Sequence, residues 1–274
     1  MSVPLLAWIL IFVIGSMVGS FLNVCIVRMP REQSIAFPGS RCPACYHPIA
    51  WFDNVPVISF LLLRGRCRYC RRPIRWRYPL VELLTALSAA AVAIRFGLTL
   101  EALVYFAFVC ALIVVSFVDI EFQIIPDEIS LGGIVVGILL CAAVPSLQGT
   151  ASRWLAMGWS VIGVLVGGGV LYLTGMLGDF IFRKESMGGG DIKLLAMAGS
   201  ILGWKLVLLT FFIAPIFALI PGLLVLLLKR SHIIPYGPFL SIGLVVSLFA
   251  GNALLQVTGM EETIRLIWMY YKPW

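Results

Sequence analysis

Charge is scarce in this chain. Asp, Glu, Lys and Arg make up only 12% of its 274 residues, where a soluble domain carries about a quarter. Set against 61% hydrophobic residues, that scarcity excludes an ordinary water-soluble domain. A Gly-rich dinucleotide fingerprint is missing too, and no alternation of strand and helix patterns is there to carry one. Neither a low-complexity segment nor an internal repeat is apparent. The N-terminus lacks a basic start and a clear small-residue cleavage site, so its apolar run reads as a retained first span and not as a signal peptide.

What fills the chain instead is a series of apolar runs near the about 20 residues a spanning helix needs. Spans are expected at Leu5–Val27, Pro79–Phe96, Leu100–Val118, Glu128–Val144, Trp154–Met176, Asp191–Trp204, Leu206–Leu228 and Gly237–Leu255. Only Lys205 separates the sixth from the seventh, and Pro215 and Pro221 predict kinks in the seventh. The Gly167-Gly168-Gly169 run predicts a close helix contact.

Charge placement orients these spans. Ten of the twenty basic residues, all Arg, lie between Arg28 and Arg77, with only Glu32 and Asp53 as acids among them. A basic block can bind nucleic acid, but one set between two apolar spans reads as a cytoplasmic loop, and no nucleic-acid partner is expected. With that loop inside, fifteen basic residues fall on the cytoplasmic side and five outside. The expected parts are a first helix at 1–27, a cytoplasmic loop at 28–78, a helical bundle at 79–258 and a tail at 259–274.

Cysteine gives the loop its chemistry. Cys25, Cys110 and Cys141 lie in or at the ends of apolar spans and read as buried small residues. The other four form Cys42-Pro-Ala-Cys45 and Cys67-Arg-Tyr-Cys70, two turns separated by 21 residues. Each turn can offer two thiolates, and together they match a tetrahedral zinc site. Disulfides are the alternative, disfavoured in a reducing compartment. Four thiolates leave no open position, so the zinc is expected to be structural. His47 is a competing ligand or a solvated loop residue. The fold class expected is therefore an all-α polytopic membrane protein of about eight transmembrane helices with a small zinc-ribbon-like cytoplasmic loop domain.

Carboxylates near a membrane are costly and usually functional. Asp119 ends the third span, and Asp191 opens the sixth after Gly188-Gly189-Gly190. Two carboxylates sharing one sheltered site cannot easily both ionise, so one can act as base on a water while the other protonates a carbonyl. The glycines, Gly188 and Gly190 in particular, permit a sharp turn and close approach of a substrate backbone. The bland alternatives are a helix cap for Asp191 and an interfacial charge for Asp119. Lys193 follows Asp191 closely, and Glu82 lies inside the second span, where it would pair with a loop Arg or serve a polar cavity. Asp127 is a candidate cap for the next helix.

The ordered set of these motifs resembles the type IV prepilin peptidases. It runs through Gly19-Ser-Phe-Leu-Asn23, Arg28-Met-Pro30, Phe37-Pro38-Gly-Ser40-Arg-Cys42, Asp53-Asn54-Val-Pro56, Arg64-Gly65-Arg-Cys67 and Arg77-Tyr78-Pro79-Leu-Val-Glu82 to Gly188-Gly189-Gly190-Asp191-Ile-Lys193. The resemblance implies cleavage of prepilins or pseudopilins after Gly at the cytoplasmic face of a bacterial inner membrane, with Asp119 and Asp191 as the catalytic pair. It also implies N-methylation of the new terminus with S-adenosylmethionine, an activity that goes with the four-Cys loop. For that cofactor Asn23, Glu32, Asp53 and Asn54 are candidate contacts. Glu32, Asp53 or Glu121 is expected along the path of the basic leader. Two rivals stand beside this reading. Another Gly-x-Gly-Asp intramembrane protease, such as a presenilin type, would have Tyr before the first Asp and a Pro-Ala-Leu motif, whereas here Val118 precedes Asp119 and no Pro-Ala-Leu occurs. A non-enzymatic zinc-loop scaffold or transporter would leave the two aspartates unexplained.

Overall fold

Helices make up the regular structure of the chain. The computed structural model describes residues 4–183, 187–227 and 235–259. Among these, eight α-helices occur: α1 (Leu5–Arg28), α2 (Ile58–Leu62), α3 (Arg77–Phe96), α4 (Leu100–Phe122), α5 (Asp127–Ala143), α6 (Arg153–Phe182), α7 (Gly189–Leu227) and α8 (Gly237–Val257). Short 3₁₀ turns cover Met29–Arg31, Trp51–Asn54 and Pro145–Gln148. Two compact units divide the chain, Met1–Pro126 and Asp127–Trp274. The tail from 260 onward and Lys184, Lys229, Arg230, Arg265 and Lys272 of the charge count lie outside the described residues.

Six of the described helices, α1, α3, α4, α6, α7 and α8, are long and apolar enough to cross a membrane. The eight expected spans differ from these at two places. Helix α5 is apolar but has 17 residues, the lower edge of the about 17–25 that a span takes. The expected sixth and seventh spans are two helical stretches within α7, and the break between them falls at Gly203 and not at Lys205. Gly203 has φ 76° and ψ 168°, which glycine adopts at no steric cost. Pro215 and Pro221 keep helical dihedrals, so the helix is not broken at either. The carbonyls freed before the break find partners within the same unit. Ser160 Oγ donates to the Ser200 carbonyl at 2.7 Å, and Gln148 Nε2 donates to the Ile201 carbonyl at 3.1 Å. In an apolar surround an unpaired carbonyl is costly, so these two side chains make the break tolerable.

Helix caps follow simple chemistry. Thr99 Oγ1 accepts the Ala102 N–H at 3.1 Å to start α4, and Ser152 Oγ accepts the Leu155 N–H at 3.5 Å to start α6. Within the first unit, α1 lies against α3 so closely that a Cβ on Gly19 would come 2.6 Å from Glu82 Cα. Within the second, α6 and α7 touch backbone to backbone, and a Cβ on Gly163 would fall 2.0 Å from the Gly199 carbonyl oxygen. Small residues permit this approach where the apolar solvent offers no hydrophobic driving force. Of the glycine run expected to serve that contact, Gly167 joins it against the Leu195 carbonyl, while Gly169 faces open space. Outward faces carry large apolar side chains such as Leu165, Phe180, Ile216 and Ile220, as a lipid-facing surface requires.

The Gly163–Gly199 crossing predicts a measurable cost. Gly163→Leu should lower stability in detergent by roughly 1–3 kcal/mol, or prevent accumulation, through overpacking. Gly169→Ala should not lower it. Thermal unfolding of the two purified variants beside the parent checks this.

Candidate active site and metal centre

The loop between α1 and α3 brings its four cysteines together. All four sulfurs of Cys42, Cys45, Cys67 and Cys70 lie within 4.8 Å of one another. Cys42 and Cys70 Sγ are 3.8 Å apart. A tetrahedron of sulfurs at the usual Zn–S length of about 2.3 Å has edges of about 3.8 Å, so the donor set fits zinc. Burial alone would push the Cys42 thiol up; the amides of Cys45 and Ala44 and the neighbouring thiols of Cys45 and Cys67 outweigh it and bring it down to about 7. Cys45 is pushed up to about 11: its hydrogen bond with the His47 amide works against burial and the crowding of three other sulfurs, and these prevail. His47 is not part of the cluster; its ring stacks on Tyr69 at 3.5 Å between centroids.

The two cysteine turns are copies of one design, which corrects the expectation that the chain has no internal repeat. Arg41-Cys42-x-x-Cys45-x-x-Pro48-Ile49-x-Trp51 recurs as Arg66-Cys67-x-x-Cys70-x-x-Pro73-Ile74-x-Trp76. Their backbones match as well. Cys42 N–H donates to the His47 carbonyl and Cys67 N–H to the Arg72 carbonyl, both at 3.0 Å. Tyr46 and Arg71 take the same left-handed conformation, with φ 57° and 55°. Arg41 pairs with Pro48 and Arg66 with Pro73 in isolated antiparallel bridges. Two like turns therefore face one another and offer two thiolates each.

Most other polar groups of this unit are occupied by internal partners. Asp53 holds Arg68 through both carboxylate oxygens, at 2.7 and 2.5 Å, and the guanidinium keeps its carboxyl below the ordinary range. Glu121 accepts from Arg77 at 2.6 Å and lies 4.0 Å from Arg75. Two of the three acids expected along a basic leader path, Asp53 and Glu121, are thus already paired with the chain's own Arg residues. Glu32 and Asn54 stay exposed. Asn23, a candidate cofactor contact, is only 2% exposed and donates to the Tyr78 carbonyl at 3.0 Å. Glu82 pairs with no Arg: its carboxylate accepts the Val57 N–H at 2.8 Å.

Asp119 sits one turn from the C-terminal end of α4 and is 7% exposed. The helix closes on it, since Gln123 takes φ 56° and donates its N–H to the Asp119 carbonyl at 2.9 Å. Such a left-handed cap ends α4 cleanly four residues past Asp119.

In the second unit, Asp191 lies in the first turn of α7, behind Gly188. It does not take the cap position that was its bland alternative, because the helix already begins at Gly189. At that end the helix dipole favours a carboxylate. A Cβ on Gly188 would stand 3.3 Å from Asp191 Oδ2, so glycine keeps that face of the carboxylate clear. Lys193 pairs with Asp127, which opens α5, at 2.7 Å. Tyr236, which precedes α8, was not singled out in the sequence. Burial first, and then the Asp191 charge, push its phenol up to about 12, so it remains a proton donor at neutral pH. The Pro235-Tyr236-Gly237-Pro238 break before the last span was the available signal.

Apolar spanning helices, carboxylates at their ends and a thiolate-stapled polar loop define a multi-pass membrane protein of the enzyme kind. The family model described as type IV leader peptidase family matches residues 106–223, and the bacterial peptidase A24 N-terminal domain matches residues 13–96. The chain belongs to the type IV leader peptidase family. It is similar to the prepilin leader peptidase/N-methyltransferase of Aeromonas hydrophila, at 33% identity over 93% of this chain and 94% of the relative. The enzyme of that name from Pseudomonas aeruginosa is 31% identical over 95% of this chain and 97% of the relative. The Myxococcus xanthus protein of that name is 42% identical over 82% of this chain, a match that spans 64% of the relative's own length. No solved structure matches the chain.

The sulfur geometry predicts about one zinc per chain, since four thiolates complete one tetrahedral site. Replacing any of Cys42, Cys45, Cys67 or Cys70 by Ser should lower that ratio sharply, while Cys110→Ser should leave it unchanged. Metal analysis of the purified proteins decides it.

Proposed function

We propose that this chain cleaves the leader from type IV prepilins or pseudopilins at the cytoplasmic face of a bacterial inner membrane, using Asp119 and Asp191, and then methylates the new N-terminus. The observation that carries the peptidase reading is a carboxylate, Asp119, only 7% exposed within an apolar spanning helix of a chain in this family. A carboxylate in such a place is costly to keep without a task.

The chemistry divides between the two carboxyl groups. One, ionised, takes a proton from water as the oxygen attacks the carbonyl carbon of the Gly residue at the leader junction. The other, protonated, gives its proton to the carbonyl oxygen. The tetrahedral diol then collapses: one of its hydroxyls returns a proton to the carboxylate that had acted as acid, the C–N bond breaks, and the departing nitrogen takes the proton that the base had accepted. Asp191 lies in the first turn of α7, where the helix dipole favours a carboxylate. Two carboxyls acting as such a pair would titrate as a unit, so neither is assigned as the acid or the base.

S-adenosylmethionine supplies the methyl group to the freed amine. Among its candidate contacts Asp53 is engaged by Arg68 and Asn23 is buried, leaving Glu32 and Asn54 exposed to receive it. Cys42, Cys45, Cys67 and Cys70 would hold zinc with no open position, so its contribution would be to the fold of the loop.

Asp119→Asn and Asp191→Asn should each reduce prepilin cleavage by at least about 100-fold, as expected for loss of a general acid or base. Zinc content should be unchanged in both. Initial rates on a purified prepilin measure the effect, and near-parental cleavage by either variant would refute the two-aspartate reading.

A further inference from the structure

Val57 has the most unusual backbone in the loop. Its φ of 60° and ψ of −49° lie outside the regions open to a β-branched residue. The Ile58 N–H donates to the Pro56 carbonyl at 2.6 Å. That bond closes the rare and strained form of γ-turn. Such conformations persist only where neighbours enforce them, and they gather at functional segments.

The enforcing neighbour comes from the membrane. Val57 N–H donates to Glu82 Oε2 at 2.8 Å, and Glu82 is 8% exposed within span α3. The Ser20 hydroxyl, from α1, lies near the same carboxyl. The tight approach of Gly19 to Glu82 Cα leaves no room for a bulkier contact. One buried carboxylate therefore joins α1, α3 and the loop.

The contact continues beyond Val57. Helix α2 starts at the next residue, and Leu61 N–H donates to the Val57 carbonyl at 3.1 Å. Ser59 Oγ donates to the Phe52 carbonyl at 3.0 Å, fixing the 3₁₀ turn that carries Asp53 and Asn54. Asp53 in turn holds Arg68, which lies between Cys67 and Cys70. Hydrogen bonds joined by short backbone steps thus link the span to the second cysteine turn.

We propose that Glu82 is a positioning residue for methyl transfer, setting through the Val57 turn where the segment 53–59 stands against the membrane helices. The proposal rests on the reading that the loop serves the methyltransferase reaction. Glu82 does not touch the reacting atoms; its effect is to hold the segment in one place.

The test uses the full-length, zinc-loaded protein in detergent, with three variants: Glu82→Ala, Glu82→Leu and Glu82→Gln. Leucine suits an apolar span, so a folding failure of the alanine variant leaves the question answerable. Four quantities are measured: amide hydrogen exchange over residues 55–63, bound zinc, prepilin cleavage, and methyl transfer from S-adenosylmethionine to the cleaved product. The leucine and alanine variants should keep zinc and cleavage. Their exchange over 55–63 should rise, and their methylation fall, by about tenfold or more, as for loss of a hydrogen bond to a charged group. Glu82→Gln, whose amide oxygen still accepts the Val57 N–H, should retain most of both. Unchanged exchange would overturn the latch. Raised exchange with unchanged methylation would overturn the positioning role, as would joint loss of zinc, cleavage and methylation. If the parent enzyme itself cleaves without methylating, the methyltransferase reading fails and the positioning role with it, an outcome recognised in the parent alone.

Discussion

A polar group inside a bilayer must find a partner, reach water or be used, because nothing in the hydrocarbon will solvate it. That constraint governs where this chain keeps its few polar residues. Gln148 and Ser160 serve the carbonyls that Gly203 frees in α7. Thr210 Oγ1 bonds Ser247 Oγ at 2.8 Å between α7 and α8. Glu82 takes a backbone N–H, and Glu121 takes two arginines. Asp119 and Asp191 stand at helix ends, where a carboxylate can exchange protons with water while the helix remains apolar.

The loop solves the opposite problem. It stands outside the apolar spans with about fifty residues, too few for a sizeable core. Its order comes from four sulfurs and from pairs such as Asp53–Arg68. Duplication of one knuckle is an economical way to make a four-thiolate site, since each copy contributes two ligands in the same geometry. The spans and the loop thus depend on different physics, apolar packing with close glycine contacts in one case and a cluster of four sulfurs with ion pairs in the other.

Much of this was legible from the sequence because its signals are local. Two Cys-x-x-Cys turns gave the sulfur cluster, and apolar runs gave α1, α3, α4, α6 and α8 within a few residues. Three features were hidden. The knuckle repeat spans Arg41–Trp51 and Arg66–Trp76, but half its positions differ, so only the shared backbone pattern makes it plain. The break in α7 sits at Gly203 beside the more conspicuous Lys205, and it is tolerated through side chains from 43 and 55 positions earlier in the chain. Glu82 bonds a backbone N–H, a partner that residue types do not reveal. For the same reason Glu121 and Asp53 looked free to meet a leader when their own arginines already hold them.

The proposed activity is twofold: cleavage at the point where a polar leader meets an apolar helix, and methylation of the amine that the cut creates. The central claim concerns the product. Intact-mass measurement of a purified prepilin, incubated with the enzyme and S-adenosylmethionine, reads that product directly. The account predicts a chain that has lost a leader ending in Gly and has gained the mass of one methyl group at its new N-terminus. An unchanged prepilin, from an enzyme that is folded and zinc-loaded, would contradict it.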